Sequence, residues 1–465
     1  MAMKKTEKKI RLKIINLIIN VDMILLINPK TTKPTEFQTD FFREPNLGIL
    51  YLAGILEQNN IPVEILDLEQ YSGLEPEELN KIIIEKIEHY EIIGITSLTN
   101  TFYLTKQIVE LIKKSNREKI VILGGPHVSF QYDEILKTEP LIDFICIGES
   151  ERSFLELSNL LIQKTPTTTS SQAFRRELNA IKGLAYRNLE GNVIFTGLPE
   201  PIDIETIPLP PRYLLSQENL YYKVASVIIN RGCPNACSFC SRQKLFPKTR
   251  IRSLSSILSE IRDVISYQTY NYINFYDNIN IEKKFFQNFC RLFIDNKIKI
   301  PWGCELRVDS ITAEDATLLK EAGCKLIATG IESASLKVLK NNLKYQDPKR
   351  VLSGIKHLKG EDIPVQAYFV LGLPGETELT FQETLDFIKE LPLDANDKIN
   401  YFVATPYPGS RLWDEQESFN INIIEYDFTK YDCQHIIFET SDLSVQKLEN
   451  LFEIAKDIEQ FFSKH

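Results

Sequence analysis

Three cysteines, Cys233, Cys237 and Cys240, stand within the ten residues RGCPNACSFC, and no histidine occurs between His127 and His357. Thiolates are soft ligands, and three in one loop point to a metal centre. A structural zinc site wants four closed ligands, usually as two cysteine pairs or a cysteine pair with a histidine pair, and the next cysteine is Cys290. A redox dithiol needs only two cysteines. An iron-sulfur cluster fits better. Three thiolates anchor three irons of a four-iron cluster, and the remaining iron stays open as a Lewis acid for a substrate or cofactor.

The whole chain sets the context for that loop. Its 465 residues, 43% hydrophobic and 25% charged, suit two or three globular domains. A net charge of -9 argues against a dedicated polyanion binder, so no nucleic-acid partner is expected, although a local basic site is compatible with it. One basic run, RQKLFPKTRIR (242–252), follows the third cysteine directly; it reads either as a solvated face or as a source of positive potential in the cleft. Only three of the eight cysteines cluster, which suits a reducing cytoplasm rather than a disulfide scaffold. The N-terminal stretch has basic residues before an apolar run, but Asn16, Asn20 and Asp22 interrupt it and no small-residue cleavage site follows. It reads as a tail leading into a strand, without a membrane span.

The cysteine loop needs a scaffold, and the patterning supplies two. Over 22–160, short apolar β-branched runs (23–28, 63–68, 92–97, 120–125 and 144–148) alternate with amphipathic stretches such as LGILYLAGILEQNN and TKQIVELIKK. This predicts a doubly wound α/β domain with a five-stranded parallel sheet. Its ligand crevice lies at the carboxyl ends of the strands, where Ser97, Gly124, Gly125, His127, Gly148 and Glu149 fall. Residues 161–222 read as a linker, with a Thr/Ser-rich connection, a hairpin around Glu190 and Gly191, and an extended IPLPPRYLL segment. Over 223–405 six strand-like runs recur before helix-like ones, which predicts a partial (β/α)6 barrel with chemistry at the carboxyl ends of its strands. Residues 406–465 read as a short helical or irregular C-terminal segment.

CxxxCxxC in the loop after the first strand of a partial barrel resembles the radical S-adenosylmethionine (SAM) superfamily. The resemblance implies a four-iron four-sulfur cluster on Cys233, Cys237 and Cys240. SAM would chelate the open iron through its amino and carboxylate groups, and one electron from the cluster would cleave the sulfonium to release a 5'-deoxyadenosyl radical. It also implies SAM contacts one residue at a time. Phe239 falls where the family packs a ring beside the adenine, and Asp277 and Asn278 stand at the place of its Gly-Gly-Glu stretch, with different residues. Arg307 could pair with the SAM carboxylate or, more simply, with Asp309 or Glu305. Glu332 and Ser333 match ribose positions, and Gly372 lies in the segment FVLGLPGE that would run along the adenine.

The doubly wound domain, GGPH, GESE, IPLPPRYLL and TPYPGSRLW together resemble the cobalamin-binding branch of that superfamily, over about residues 22–413. A corrinoid is implied, its tail cradled at Ser97, Gly124, Gly125, His127, Gly148 and Glu149. The stretch NPKTTKPTEF lacks the Asp-x-His-x-x-Gly pattern of domains that ligate cobalt, so no histidine is expected on the metal's lower face. The implied activity is cobalamin-dependent methylation of an unactivated carbon of a small metabolite, with an external electron donor of the flavodoxin or ferredoxin type. Rival readings are a radical cyclase or rearrangement enzyme without net methyl transfer, and a cobalamin or nucleotide sensor. A tRNA methylthiotransferase would need an added cysteine-bearing domain and a basic C-terminal module, and neither is visible. Substrate specificity is expected around Tyr407 and Trp413.

Overall fold

The computed structural model describes residues 23–31, 43–163, 172–215, 221–276 and 279–463. The N-terminal tail, most of the Thr/Ser-rich connection and the pair Asp277 and Asn278 lie outside the described residues. The chain divides into two compact units: residues 1–34 with 46–219, and residues 35–45 with 220–465.

In the first unit, β1 (Ile24–Asn28), β2 (Val63–Asp67), β3 (Ile92–Thr96), β4 (Ile120–Gly124) and β5 (Phe144–Cys146) pair in parallel, in the order β2-β1-β3-β4-β5. β1 is buried at all five positions, which explains why its sequence is apolar throughout rather than alternating. The covering helices are one-sided. Helix Phe102–Ser115 buries Phe102, Thr105, Ile108, Val109 and Ile112, spaced by threes and fours, and turns its lysines outward. Helix Leu47–Gln58 starts at Asn46, whose side chain accepts from the Ile49 amide at 3.2 Å. The hairpin expected around Glu190 and Gly191 forms as β6 (Leu184–Arg187) and β7 (Val193–Phe195). Rather than standing apart in a linker, it extends the sheet, because β6 pairs antiparallel with β5 and so covers an otherwise open edge.

The second unit is built on six parallel strands, β8 (Val224–Val227), β11 (Tyr272–Phe275), β12 (Trp302–Glu305), β13 (Cys324–Glu332), β14 (Val365–Leu371) and β15 (Lys398–Val403), neighbours in chain order. Two short strands, β9 (Asn230–Arg231) and β10 (Arg250–Ile251), form an antiparallel ribbon beside them. Helices follow the strands, as a parallel connection requires. Phe275, Phe289, Phe293 and Trp302 pack edge-on or stacked, with centroids 5.0–6.0 Å apart, between the sheet and helix Lys283–Asp295. The C-terminal region contains helix Val445–Ser463 as expected, and also an antiparallel pair, β16 (Ile421–Ile423) with β17 (Phe438–Thr440). Three-residue strands are too short to show alternation in a sequence.

A segment remote in sequence completes this unit. Glu44 accepts hydrogen bonds from Ser226 Oγ and, at 2.8 Å, from Asn274 Nδ2, and these two donors are register partners on β8 and β11. Burial pushes its carboxyl up to about 7, against the lowering effect of both donors.

Candidate active site

The cysteine loop leaves β9 at Arg231 and is pinned from several sides. Gly232 has a φ of +87°, and a Cβ there would lie 2.5 Å from the Lys248 carbonyl oxygen, so glycine alone lets the loop lie against the returning strand. Ser238, fully buried, donates its amide to the Asn342 carbonyl at 3.0 Å and its hydroxyl to Asn342 Oδ1 at 2.7 Å. Its own carbonyl accepts from the Leu412 amide at 3.0 Å. The Cys240 amide bonds the Cys237 carbonyl at 3.1 Å, closing the turn between the last two cysteines.

Cys233, Cys237 and Cys240 line one cavity together with Phe239, Arg307, Glu332, Glu305, Lys344 and Tyr368. On β13 the lining residues are Ala328, Gly330 and Glu332, every second position, as one face of a strand must be. All three cysteines are free thiols. Among the described residues, no group of three or more His, Cys, Asp or Glu converges closely enough for a single metal ion. Three thiols lining one cavity suit a four-iron cluster, in which each thiolate would serve its own iron. Burial pushes the Cys237 thiol up to about 11, while Lys344 opposes the shift. The bare thiolate is therefore disfavoured, and positive charge of iron would supply what holds it ionised. The residues fit the cluster.

Other expected SAM residues separate. Arg307 reaches the cavity, but its fork is engaged: Nε and Nη2 donate to Asp309 at 3.2 and 2.8 Å, Nη1 to Asn235 Oδ1 at 3.2 Å, and Nη2 also to the Tyr345 carbonyl at 2.5 Å. The simpler pairing with Asp309 is thus present, and it aims the guanidinium across the cysteine loop. Glu332 lines the cavity with φ +62° and is paired to Lys344 Nζ at 2.6 Å, a second bond from the same ammonium going to the Gly330 carbonyl at 2.7 Å. Ser333 does not line the cavity. It is fully buried, 3.3 Å from Thr384 Oγ1, and accepts from the Ser335 amide. Gly372 is also absent from the lining; its amide donates to Glu376 Oε2 at 2.5 Å. Sequence reasoning missed Asn235, Glu305, Lys344 and Tyr368. Asn235 lies inside the cysteine motif itself, and Glu305 and Tyr368 sit on strands that the sequence reading recognised.

Glu376 carries a separate consequence. It is buried beneath the strand end, and desolvation pushes its carboxyl up to about 8, opposed by the Gly372 amide. The folded state therefore holds a proton that the unfolded chain releases above its ordinary value of 4.5. Stability is lost as pH rises from there through about 8. Glu376→Gln keeps the acceptor for Gly372 and removes the titration, so it should melt higher than the parent at pH 8.5, by on the order of 3 kcal/mol, and nearly the same at pH 5. Thermal melts at the two pH values measure this.

In the first unit, the strand ends bring Ser97, Gly124, Gly125 and Gly148 together. The Ser97 amide donates to the Gly124 carbonyl at 2.8 Å, and Ser129 Oγ bridges them, donating to the Gly125 carbonyl at 2.8 Å and accepting from the Gly148 amide at 2.9 Å. Gly125, at φ +104°, leaves no space for a Cβ, which would lie 2.6 Å from the Ser97 carbonyl oxygen. His127 is buried, its Nδ1 3.3 Å from Thr99 Oγ1 and its ring 4.6 Å from Phe102. Burial lowers its imidazole to about 3, so it is neutral. Glu149 is 6% exposed and accepts from the Ile202 amide at 3.2 Å. These residues lie at the carboxyl ends of the parallel strands, where doubly wound sheets bind their ligands.

The B12 binding domain family matches residues 39–158, and the Radical SAM superfamily matches residues 227–388. The chain belongs to the radical SAM enzymes that carry a B12-binding domain. Its relatives include an uncharacterized methyltransferase, PH0819, of Pyrococcus horikoshii, 28% identical over 88% of this chain and 86% of the relative. Another is an anaerobic magnesium-protoporphyrin IX monomethyl ester cyclase of Rubrivivax gelatinosus, 29% identical over 90% of this chain and 74% of that protein. Among solved structures the fold is shared with the radical SAM methyltransferase TsrM of Kitasatospora setae, a structure with cobalamin and a [4Fe-4S] cluster bound (TM-score 0.70, 15% identity, 95% of this chain and 88% of that one). It is also shared with the apo form of the cobalamin-dependent enzyme OxsB (TM-score 0.72, 17% identity, 95% and 67%). This radical SAM enzyme has, among the described residues, no helix long and apolar enough to cross a membrane.

Proposed function

We propose that this radical SAM enzyme methylates an unactivated carbon of a small metabolite in the cytoplasm, using a four-iron cluster, SAM and cobalamin. The observation that carries the reading is the pairing, in one chain, of a B12-binding domain with a barrel whose three loop thiols line one cavity. When bound, the cluster with SAM supplies a hydrogen-abstracting carbon radical and the corrinoid a transferable methyl group. Everything else falls to the protein.

Cys233, Cys237 and Cys240 hold the cluster. Arg307, steadied by Asp309 and Asn235, keeps positive charge at the cavity wall, where a carboxylate of SAM would rest. Phe239 offers a ring to the adenine, and Glu332, fixed by Lys344, offers carboxylate lone pairs to ribose hydroxyls. Asp277 and Asn278 keep their proposed place at the SAM amino group. Ser333 and Gly372 act at one remove, shaping the strand ends that carry the contacts. In the first unit, Gly124, Gly125 and Gly148 give the corrinoid bare backbone, Ser97 orders them, and His127 and Glu149 wall the pocket. Neutral His127 is bonded to Thr99, so it serves as packing rather than as a ligand to cobalt.

Cyclisation or rearrangement is the second reading, favoured by the identity to the cyclase of Rubrivivax gelatinosus. Anaerobically reconstituted protein given hydroxocobalamin, reductant and methyl-labelled SAM separates the two. Methylation requires label in the corrinoid fraction and formation of S-adenosylhomocysteine as well as 5'-deoxyadenosine. Deoxyadenosine alone, with the corrinoid unlabelled, overturns methyl transfer in favour of rearrangement.

A further inference from the structure

Across 231–259 there are six basic residues, Arg231, Arg242, Lys244, Lys248, Arg250 and Arg252, and no acidic one, within a chain of net charge -9. The structure sorts them. Arg252 turns inward, Nη1 bonding Glu260 at 2.5 Å with both side chains buried. Arg231 is buried, its guanidinium 5.9 Å from the centre of the Phe246 ring. Arg242 lines the cysteine cavity and reaches Asn230. Lys244 and Lys248 are exposed and Arg250 is half-buried; Lys244 pairs with Asp414 at 2.7 Å.

Position gives this charge its meaning. The segment begins two residues past Cys240 and returns through β10, whose Arg250 pairs with Arg231 of β9, two residues before Cys233. The Lys248 backbone abuts Gly232. The basic loop thus closes on the cysteine loop from both of its ends. Its outward cations are spread along a loop and ribbon, a shape suited to a broad surface rather than to a small anion, which needs convergent donors. In a chain of net charge -9, a local concentration of cations such as this one steers and orients the approach of acidic macromolecules.

We propose that residues 242–250, chiefly Lys244, Lys248 and Arg250, form the docking surface for a small acidic one-electron carrier protein of the flavodoxin type. This rests on the reading that Cys233, Cys237 and Cys240 hold a four-iron cluster. One electron passes from the reduced flavin, which is left one-electron oxidised, to the cluster; no covalent bond forms or breaks.

The test uses the full-length protein, reconstituted anaerobically, with iron content measured before any reductant is added. Bleaching of the cluster absorbance is followed by stopped flow, with an acidic flavodoxin hydroquinone and, separately, with photoreduced deazariboflavin, a small reductant that needs no docking. In the variant Lys244→Glu/Lys248→Glu/Arg250→Glu, the flavodoxin-driven rate at low salt should fall about ten-fold or more, with the deazaflavin-driven rate unchanged. The parent's flavodoxin rate should fall steeply with salt and the variant's should not. The milder Lys248→Gln/Arg250→Gln, which leaves the Lys244 pair with Asp414 intact, should show a smaller loss in the same direction. A flavodoxin rate in both variants equal to the parent's, or a parent rate indifferent to salt, overturns the proposal. So does competition by inorganic phosphate at constant ionic strength, which marks a small-anion site. Absence of iron in the parent overturns the cluster reading itself, and the iron assay identifies that case.

Discussion

Cys237→Ala should yield a protein that folds and melts like the parent yet retains no stably bound four-iron cluster and forms no 5'-deoxyadenosine. The three thiols line one cavity, where each would serve its own iron, and none of the other five cysteines lines that cavity to act as a substitute. Cys290, Cys304 and Cys324 are buried, with burial pushing the thiols of Cys290 and Cys304 well above the ordinary range. Removing a half-buried thiol from the wall of an existing cavity only widens that cavity, and the loop around it is held independently by Ser238, Asn342 and Leu412. Iron and sulfide assays with the visible spectrum, alongside a melting curve, separate lost ligation from lost folding. A variant retaining a full complement of iron and cleaving SAM would remove the basis of the proposed function.

Gly232→Ala should cripple the same site from the backbone. A left-handed φ costs an L-residue about 1–2 kcal/mol, and the added methyl meets main chain on the returning strand rather than a side chain able to swing aside. With that clash the local cost reaches on the order of 3–5 kcal/mol, enough to open the β9–β10 ribbon. The cysteine loop then loses its preformed shape, and iron uptake at limiting iron should drop on the order of a hundred-fold in apparent affinity, with the melting of the first unit unchanged. Iron titration under anaerobic conditions, with proteolysis of the 242–250 loop as a second readout, checks this. Normal uptake would mean that the cluster loop does not depend on the ribbon.

Much of this was legible in the sequence for a definite reason. Strands buried on both faces, such as β1, are apolar without interruption, and the six strands of the second unit recur before helix-like stretches, so both α/β units could be read from periodicity. The cysteine motif was legible because its ligands are contiguous. Contacts made across the fold were not. Lys344 reaches Glu332 from twelve residues away, and Arg307 meets Asn235 across seventy-two. Nothing local distinguishes that lysine from its solvated neighbours Lys337 and Lys340. Ser333 shows the opposite case: adjacent to a cavity residue, it follows a strand end where Glu332 takes a left-handed φ of +62°, and it is fully buried against Thr384 and the Ser335 amide instead.

Glu44 has a bearing on how the protein is made. Its partners Ser226 and Asn274 lie 182 and 230 residues further along the chain. At about 5–20 residues per second, a ribosome would emit the whole of the first unit and then need on the order of ten to forty seconds after Glu44 before Ser226 appears. During that interval the carboxylate stays in water, and only the nascent barrel can draw it in. A barrel produced alone from residue 221 onward would be born without that carboxyl, leaving Ser226 and Asn274 to find other partners. Co-expression of residues 1–220 with residues 221–465 is therefore the better way to split this chain.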